Sequence, residues 1–333
     1  MIRHQLSALL SESPSDTVLR ELMKTVESFG MFKGSILTFE HSTILGDILT
    51  IRSLYYYQAL NRNDRTCEEI LLSLHSNDDN EIYTHISICR QCYKYVQTLM
   101  EKHGLILPTD FVRINEAIKL QNTDVLSDME FSKTHEKVTQ QQSIALKLLY
   151  EKSTSEFLNI SLASIAFAQS EYNIEIGALE LLFGFLLNEQ NEGFDIPVNL
   201  SKWEVTRENY PTSEMDFVEK TIIDMLCYFQ SEFKYMATLI LNISEAINTL
   251  NNKLTNTLPK INSQKLSDLL SQNLCFRYSD FISILGITYK TAIDYLRQLE
   301  SHGFISNTRI GREKVFINDH LFLLLREVES DGA

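Results

Sequence analysis

The chain has 333 residues and a formal net charge of −14. That length supplies two or three domains with a sizeable core, and so acidic a balance excludes a surface that attracts nucleic acid all round. No charge-free apolar run approaches the ~20 residues of a spanning helix, the start Met1-Ile2-Arg3-His4-Gln5 has no leader pattern, and five cysteines argue against a disulfide framework, so a cytoplasmic chain away from membranes is expected.

Nearly everything before residue 263 reads as α-helix, because glycine (11) and proline (5) are sparse and apolar residues recur at threes and fours. Val18, Leu19, Leu22 and Val26 predict a first helix from Ser15 to Ser28, ending before Gly30. Asp47 to Asn61 gives a second, and its Tyr55-Tyr56-Tyr57 is explained by core and interface packing. Asn80 to His103 carries a stripe of Ile82, Ile86, Cys89, Tyr93, Val96 and Met100, with Gly104 as its stop. Pro108-Thr109-Asp110 then opens a helix through Phe111, Ile114 and Ile118.

Gln121 to Lys133 is polar and poorly periodic, which predicts a loop. Helices resume from Glu136 to Leu187, and the continuous apolar run Leu181 to Leu187 marks a central buried one. Asn188 to Tyr210, with the single Trp203, is loop-rich. From Pro211 the longest helical pattern begins, and Val218, Ile222, Met225, Phe229, Phe233, Met236, Ile240, Ile243, Ile247, Leu250 and Leu254 form a seam about 50 Å long. Such a seam needs a partner, either the helical body or a second subunit. Pro259 ends it, and Lys260-Ile261-Asn262 is the linker to a C-terminal domain. The expected boundaries are 1–120 and 121–258 for the helical body and 263–333 for that last domain.

The C-terminal domain reads as a winged helix. Tyr278 to Leu285 is a short helix, Gly286-Ile287 a turn, and Thr288 the N-cap of a second helix from Tyr289 to Ser301, stopped by His302-Gly303. Ala292, Ile293, Leu296 and Leu299 share one face of it, leaving Lys290, Thr291, Asp294 and Gln298 on the other. Phe304-Ile305-Ser306 and Lys314-Val315-Phe316-Ile317 are β-like, joined by Asn307 to Glu313 as a hairpin with a cationic tip. Helix, turn, helix and hairpin is the layout in which a reading helix enters the major groove and a wing touches the backbone. From Ser263 to Arg326 eight basic residues stand against six acidic ones, so this stretch is net +2 and the remainder holds −16. Candidate DNA contacts are Tyr289, Lys290, Thr291 and Gln298 on the helix and Arg309, Arg312 and Lys314 on the wing; Asp294 is the residue on that face that does not fit a phosphate. The plain alternative for the wing cations is solvated surface.

Other chemistry is thin. His85, Cys89 and Cys92 fall at i, i+4 and i+7 and offer three metal ligands, but no second pair lies at zinc-site spacing, so core packing is expected and no metal or cofactor is assigned. Asn77-Asp78-Asp79-Asn80 lacks the alternation of a calcium loop.

With these elements in place the chain resembles the Fic family of AMP-transferring proteins, in the subgroup with a C-terminal winged helix. Leu285 to Ala292, continuing through Leu299 to Ile305, is very similar to that tail; Ser42 to Thr50 resembles the family's Ser-Ser-x-Ile-Glu-Gly-x-x-x-Thr segment. Asp79 to Lys119 resembles the helix pair next in the family's order, and Leu162 to Gln169 the helix before the active loop. The resemblance implies a Fic-like helical body followed by a winged helix-turn-helix, a mainly α chain. Its enzymes use His-Pro-Phe-x-x-Gly-Asn-Gly-Arg-x-x-Arg, whose histidine is the general base and whose glycine-rich start cradles phosphates. Here Ala168 to Gly177 stands in that region, no histidine lies between His135 and His302, and Gly-x-Gly does not occur in the chain. Glu171, Glu175 and Glu180 would repel a triphosphate. Leu45 stands where the family's restraining glutamate belongs, so base and brake are absent together, and no catalytic residue is assigned.

The expected function is a catalytically inactive Fic-like scaffold or regulator that binds DNA, with a homodimer or an unidentified protein as further partner. Two alternatives stand beside it: a nucleotide-handling adenylyltransferase recruiting His135, His85 or His41, and a winged helix used only for dimerisation or protein docking.

Overall fold

The first helix, expected to end before Gly30, does not stop there. α1 runs Asp16–Leu37, straight through Gly30 and Gly34. An interior glycine costs roughly 1 kcal/mol relative to alanine, but Phe32 and Ile36 beyond it are buried, and burying one such side chain is worth about 1.5–3 kcal/mol, so burial wins. The computed structural model describes residues 14–60, 63, 65–75, 81–127, 143, 146, 147, 149, 155–168, 175, 177–180, 182, 215–310 and 313–331. They divide into two units, residues 1–31 with 79–234, and residues 32–78 with 235–333.

The first unit contains the start of α1, α4 (Glu81–His103), α5 (Pro108–Lys119), a 3-10 turn (Thr123–Ser127), α6 (Glu156–Ala168) and the first half of α7 (Met215–Thr257). Its core is aromatic: Phe29 lies 5.4 Å from Phe157 and 5.0 Å from Phe233, and Phe111 lies 4.7 Å from Phe167, between ring centroids. Polar ties align α1 with α7, the Thr25 hydroxyl donating to the Leu226 carbonyl at 3.1 Å and the Gln230 amide to the Glu21 carbonyl at 3.1 Å. Asp110 caps α5 by accepting from the Leu107 N–H at 3.1 Å and also takes the Tyr95 hydroxyl at 2.9 Å. Gly104, at φ 67°, ends α4 as expected.

The second unit holds α2 (Ser42–Leu60), α3 (Cys67–His75), the second half of α7, α8 (Gln264–Gln272), β1 (Cys275–Arg277), α9 (Tyr278–Leu285), α10 (Tyr289–Ser301), β2 (Ile305–Ile310), β3 (Glu313–Asn318) and α11 (Asp319–Asp331). The sheet is antiparallel in the order β1-β3-β2, with Phe276 opposite Phe316 and Thr308 opposite Val315. One core unites Leu250, Leu254, Leu266, Leu270, Phe276, Phe281, Leu296, Leu299, Phe304 and Phe316. Phe276 stacks on Phe281 and on Phe316, each at 5.7 Å. α3 is fixed at both ends: Thr66 and Glu69 form a capping box, the Cys67 N–H donates to the Glu329 carboxylate at 2.6 Å, and the Arg277 guanidinium donates to the His75 carbonyl.

The chain is therefore mainly α, with a small three-stranded sheet and a hairpin wing at its C-terminal end. α9 and α10 have the bounds the pattern predicts, whereas α8, β1 and α11 carried no expectation. The strands also reach further than expected, with Ile310 pairing Glu313, so that two residues rather than seven connect them. Every residue of the α7 seam, from Val218 to Leu254, is buried within the single chain, and at its C-terminal end Leu250 and Leu254 join the core of the C-terminal domain, so the chain itself covers the seam. Trp203, most of the Leu181–Leu187 run (Leu182 is described and buried), Asn77 to Asn80 and residues 128–133 of the expected loop lie outside the described residues.

Candidate nucleic-acid interface

Local chemistry sets α10, the candidate reading helix. The Arg277 N–H donates to Asp280 at 3.0 Å at the start of α9, and Gly286, at φ 67° and ψ 35°, ends it in the left-handed region that suits glycine. The Thr288 hydroxyl then accepts from the Thr291 N–H at 3.3 Å, capping α10. Tyr278 clamps the pair: its hydroxyl donates to the Tyr289 carbonyl at 2.7 Å, and the two rings lie 4.9 Å apart. Ala292, Leu296 and Leu299 are buried beneath, which turns the opposite face outward.

That outward face differs from the predicted one. Lys290, Asp294, Arg297 and Ser301 are exposed, at i, i+4, i+7 and i+11, one line along the helix. Thr291 is half-buried, its hydroxyl 2.9 Å from that of Thr288, and serves the cap. Gln298 is half-buried too, with its amide donating to the Asp294 carbonyl at 3.3 Å. Arg297 escapes a face drawn from the neighbours of Lys290; a count of seven from that lysine finds it. Tyr289 is 66% exposed at the mouth of the turn, beside Ile284 at 45%.

The wing divides in the same way. Arg309 is exposed and has no ion-pair partner among the described residues. Lys314 is held by Glu300, 3.1 Å from Nζ to Oε1, and Glu300 also accepts the Asn307 amide at 2.5 Å, so this glutamate ties the hairpin to α10 and neutralises the cation. Arg277 pairs with Glu313 at 3.2 Å. Arg312 lies outside the described residues. The open cations described on this face are thus Lys290, Arg297 and Arg309, a modest positive surface.

The residues considered for other chemistry lie elsewhere. His85 is 6% exposed, its Nε2 3.5 Å from the Cys89 sulfur, and burial pushes its pKa down to about 4, so the ring is neutral. Burial pushes the Cys89 and Cys92 thiols up to about 12, and no group of three or more His, Cys, Asp or Glu residues that could hold a metal ion occurs among the described residues. His41 packs its ring 5.8 Å from Phe39, and His135 lies outside the described residues. Of Ala168 to Gly177, Ala168, Glu175 and Gly177 are described, and the Glu175 N–H donates to the Asn115 side chain at 2.7 Å. Leu45 is buried in the second unit.

By its elements the C-terminal part is a helix-turn-helix followed by a β-hairpin in a mainly α chain. Residues 247–321 match the family model described as the C-terminal domain of SoFic-like protein adenylyltransferases. Over this stretch the chain is Fic-like, in agreement with the resemblance of Leu285 to Ile305. No curated protein matches the chain.

Proposed function

We propose that this Fic-like chain is a DNA-binding regulator whose helical body is a scaffold without adenylyltransferase activity. The observation that carries the reading is the outward line of α10: two cations and a carboxylate stand free on a capped helix whose other face is core, the donor and acceptor set that reads base edges in a major groove. Lys290 and Arg297 donate to guanine, Tyr289 packs at the helix start, and Arg309 with Arg312 meets phosphates. Inactivity is supported by the sequence, which has no His-Pro-Phe and no Gly-x-Gly to supply a base and an anion cradle.

The test is fluorescence anisotropy of the full chain with a selected duplex and a scrambled control across a salt series. Arg297→Ala and Lys290→Ala should each weaken the selected duplex by about 1–3 kcal/mol while leaving the control nearly unchanged. Arg309→Ala with Arg312→Ala should weaken both duplexes alike and flatten the salt slope by up to about two. Equal, weak binding to both duplexes, untouched by these variants, would overturn the reading. A docking role is the second reading, favoured by the exposed Ile284 and Tyr289 and by the neutralised Lys314. Saturable binding of ATP with magnesium would instead revive the nucleotide-handling alternative.

A further inference from the structure

With the α7 seam buried inside the chain, the surface that could join two copies has to lie elsewhere, and α1 offers one. Leu19, Met23, Val26 and Gly30 fall at i, i+4, i+7 and i+11, a single line along the helix. All four are exposed, the three large side chains at 41%, 73% and 50%, although water-facing positions of a helix are ordinarily polar. Gly30 adds a hole to these knobs, since a Cβ built there would meet nothing within 4 Å.

The line is self-complementary in one direction only. Two copies laid parallel would set each residue on itself, leaving glycine against glycine and Leu19 against Leu19. Laid antiparallel about the midpoint between Lys24 and Thr25, the same residues place leucine over glycine at both ends of the line and methionine against valine between them. The flank agrees. Arg20 and Glu27 are both exposed, lie seven apart on the same side of the line, and have no ion-pair partner among the described residues. In the antiparallel arrangement Arg20 of each copy comes beside Glu27 of the other, whereas in a parallel pair the two flanks lie on opposite sides of the contact and these residues do not meet.

We propose that a second copy of this chain docks antiparallel on this stripe, with Leu19 of each copy seated over Gly30 of the other, Met23 against Val26, and Arg20–Glu27 pairs closing one edge. The overlap from Leu19 to Gly30, eleven rises along the helix, is about 17 Å long, which places the interface below the ~1,200 Å² of standard complexes. The dimer is therefore weak and concentration-dependent, with a dissociation constant in the micromolar range.

Sedimentation velocity of the full chain over a concentration series tests this. Gly30→Leu fills open space in the monomer and removes a glycine from a helix interior, so its circular dichroism should hold and its melting temperature should hold or rise while dimerisation weakens at least tenfold. Met23→Glu, at a position 73% exposed, should do the same and covers the case that the first variant does not fold. Arg20→Glu and Glu27→Arg should each weaken association, and the double variant should regain the original affinity. A monomer at every concentration, or a dimer indifferent to Gly30→Leu and Met23→Glu, overturns the proposal. A double variant that fails to recover overturns the antiparallel register.

Discussion

Replacing Asn318 with alanine should loosen the second unit without touching any exposed residue of the reading face. Asn318 is fully buried at the end of β3 and serves three elements at once. Its backbone N–H donates to the Leu274 carbonyl at 2.8 Å, its side-chain amide donates to the Leu270 carbonyl at 2.6 Å in the last turn of α8, and its side-chain oxygen accepts from the Leu321 N–H at 3.3 Å in the first turn of α11. Alanine keeps the first bond and loses the other two, together with a long contact from the amide to the Asn273 carbonyl at 3.5 Å. Losing a helix cap costs about 1 kcal/mol, and leaving the Leu270 carbonyl buried without its donor costs about 1–2 more, so the expected loss is about 2–3 kcal/mol. Urea unfolding followed by far-ultraviolet circular dichroism should show the midpoint falling with little change in slope. Asn318→Ser, whose hydroxyl can still accept from Leu321, should recover roughly the cap's share. A loss under about 0.5 kcal/mol for alanine, or identical losses for serine and alanine, would refute the two-helix role.

Buried groups give two more expectations. The unfolded chain titrates His85 near the ordinary 6.5 while the folded chain does so at about 4, so the unfolded state binds more protons between these values. Stability is complete above pH 6.5 and falls as the pH drops toward 4, by at most about 3 kcal/mol; His85→Gln should flatten that limb in denaturation curves taken at several pH values, and an unchanged limb would assign it to other groups. Among the described cysteines Cys227 is the exposed one, whereas burial holds Cys67, Cys89, Cys92 and Cys275 at about 12. Iodoacetamide labelling read by mass spectrometry should therefore find Cys227 first, slowly because burial and Glu21 raise its pKa, and the others only in denaturant; equal labelling of Cys92 or Cys275 under native conditions would contradict their burial.

Local signals were the legible part of the sequence. Thr288, Gly286 and Gly303 announce their caps and turns within four residues, so the bounds of α9 and α10 could be read directly. The periodic seam of α7 was equally plain, since threes and fours repeat over about forty residues. Elements whose stability comes from elsewhere were silent. β1 is three residues long and is a strand only because Phe276 lies opposite Phe316, forty positions away. α1 outruns Gly30 because Phe32 finds a buried place. In the candidate site, Lys314 looks like a free cation in sequence because the glutamate that holds it is fourteen residues earlier, and Arg297 stands out only when its spacing from Lys290 is counted. The similarity of Leu285 to Ile305 to the Fic tail was the most specific signal in the chain, and it falls inside the stretch that matches the family model.

The composition of the second unit has a consequence for how the protein is made. Residues 32–78 belong with residues 235–333, and the N-terminus of α3 takes the Glu329 carboxylate as a partner. During synthesis α2 and α3 emerge first and must wait until Tyr235, 157 positions after Asp78, and the strands beyond it have been translated. At ~5–20 residues per second the wait to Tyr235 alone is roughly 8–30 s, with the apolar residues around Ile44, Ile48 and Ile51 lacking part of their eventual cover. The same interleaving means that a fragment starting at the linker leaves out α2, α3 and the α7 residues Leu250 and Leu254 that complete its core. The helix-turn-helix is thus no detachable cassette, because its core is completed by residues that lie before the linker.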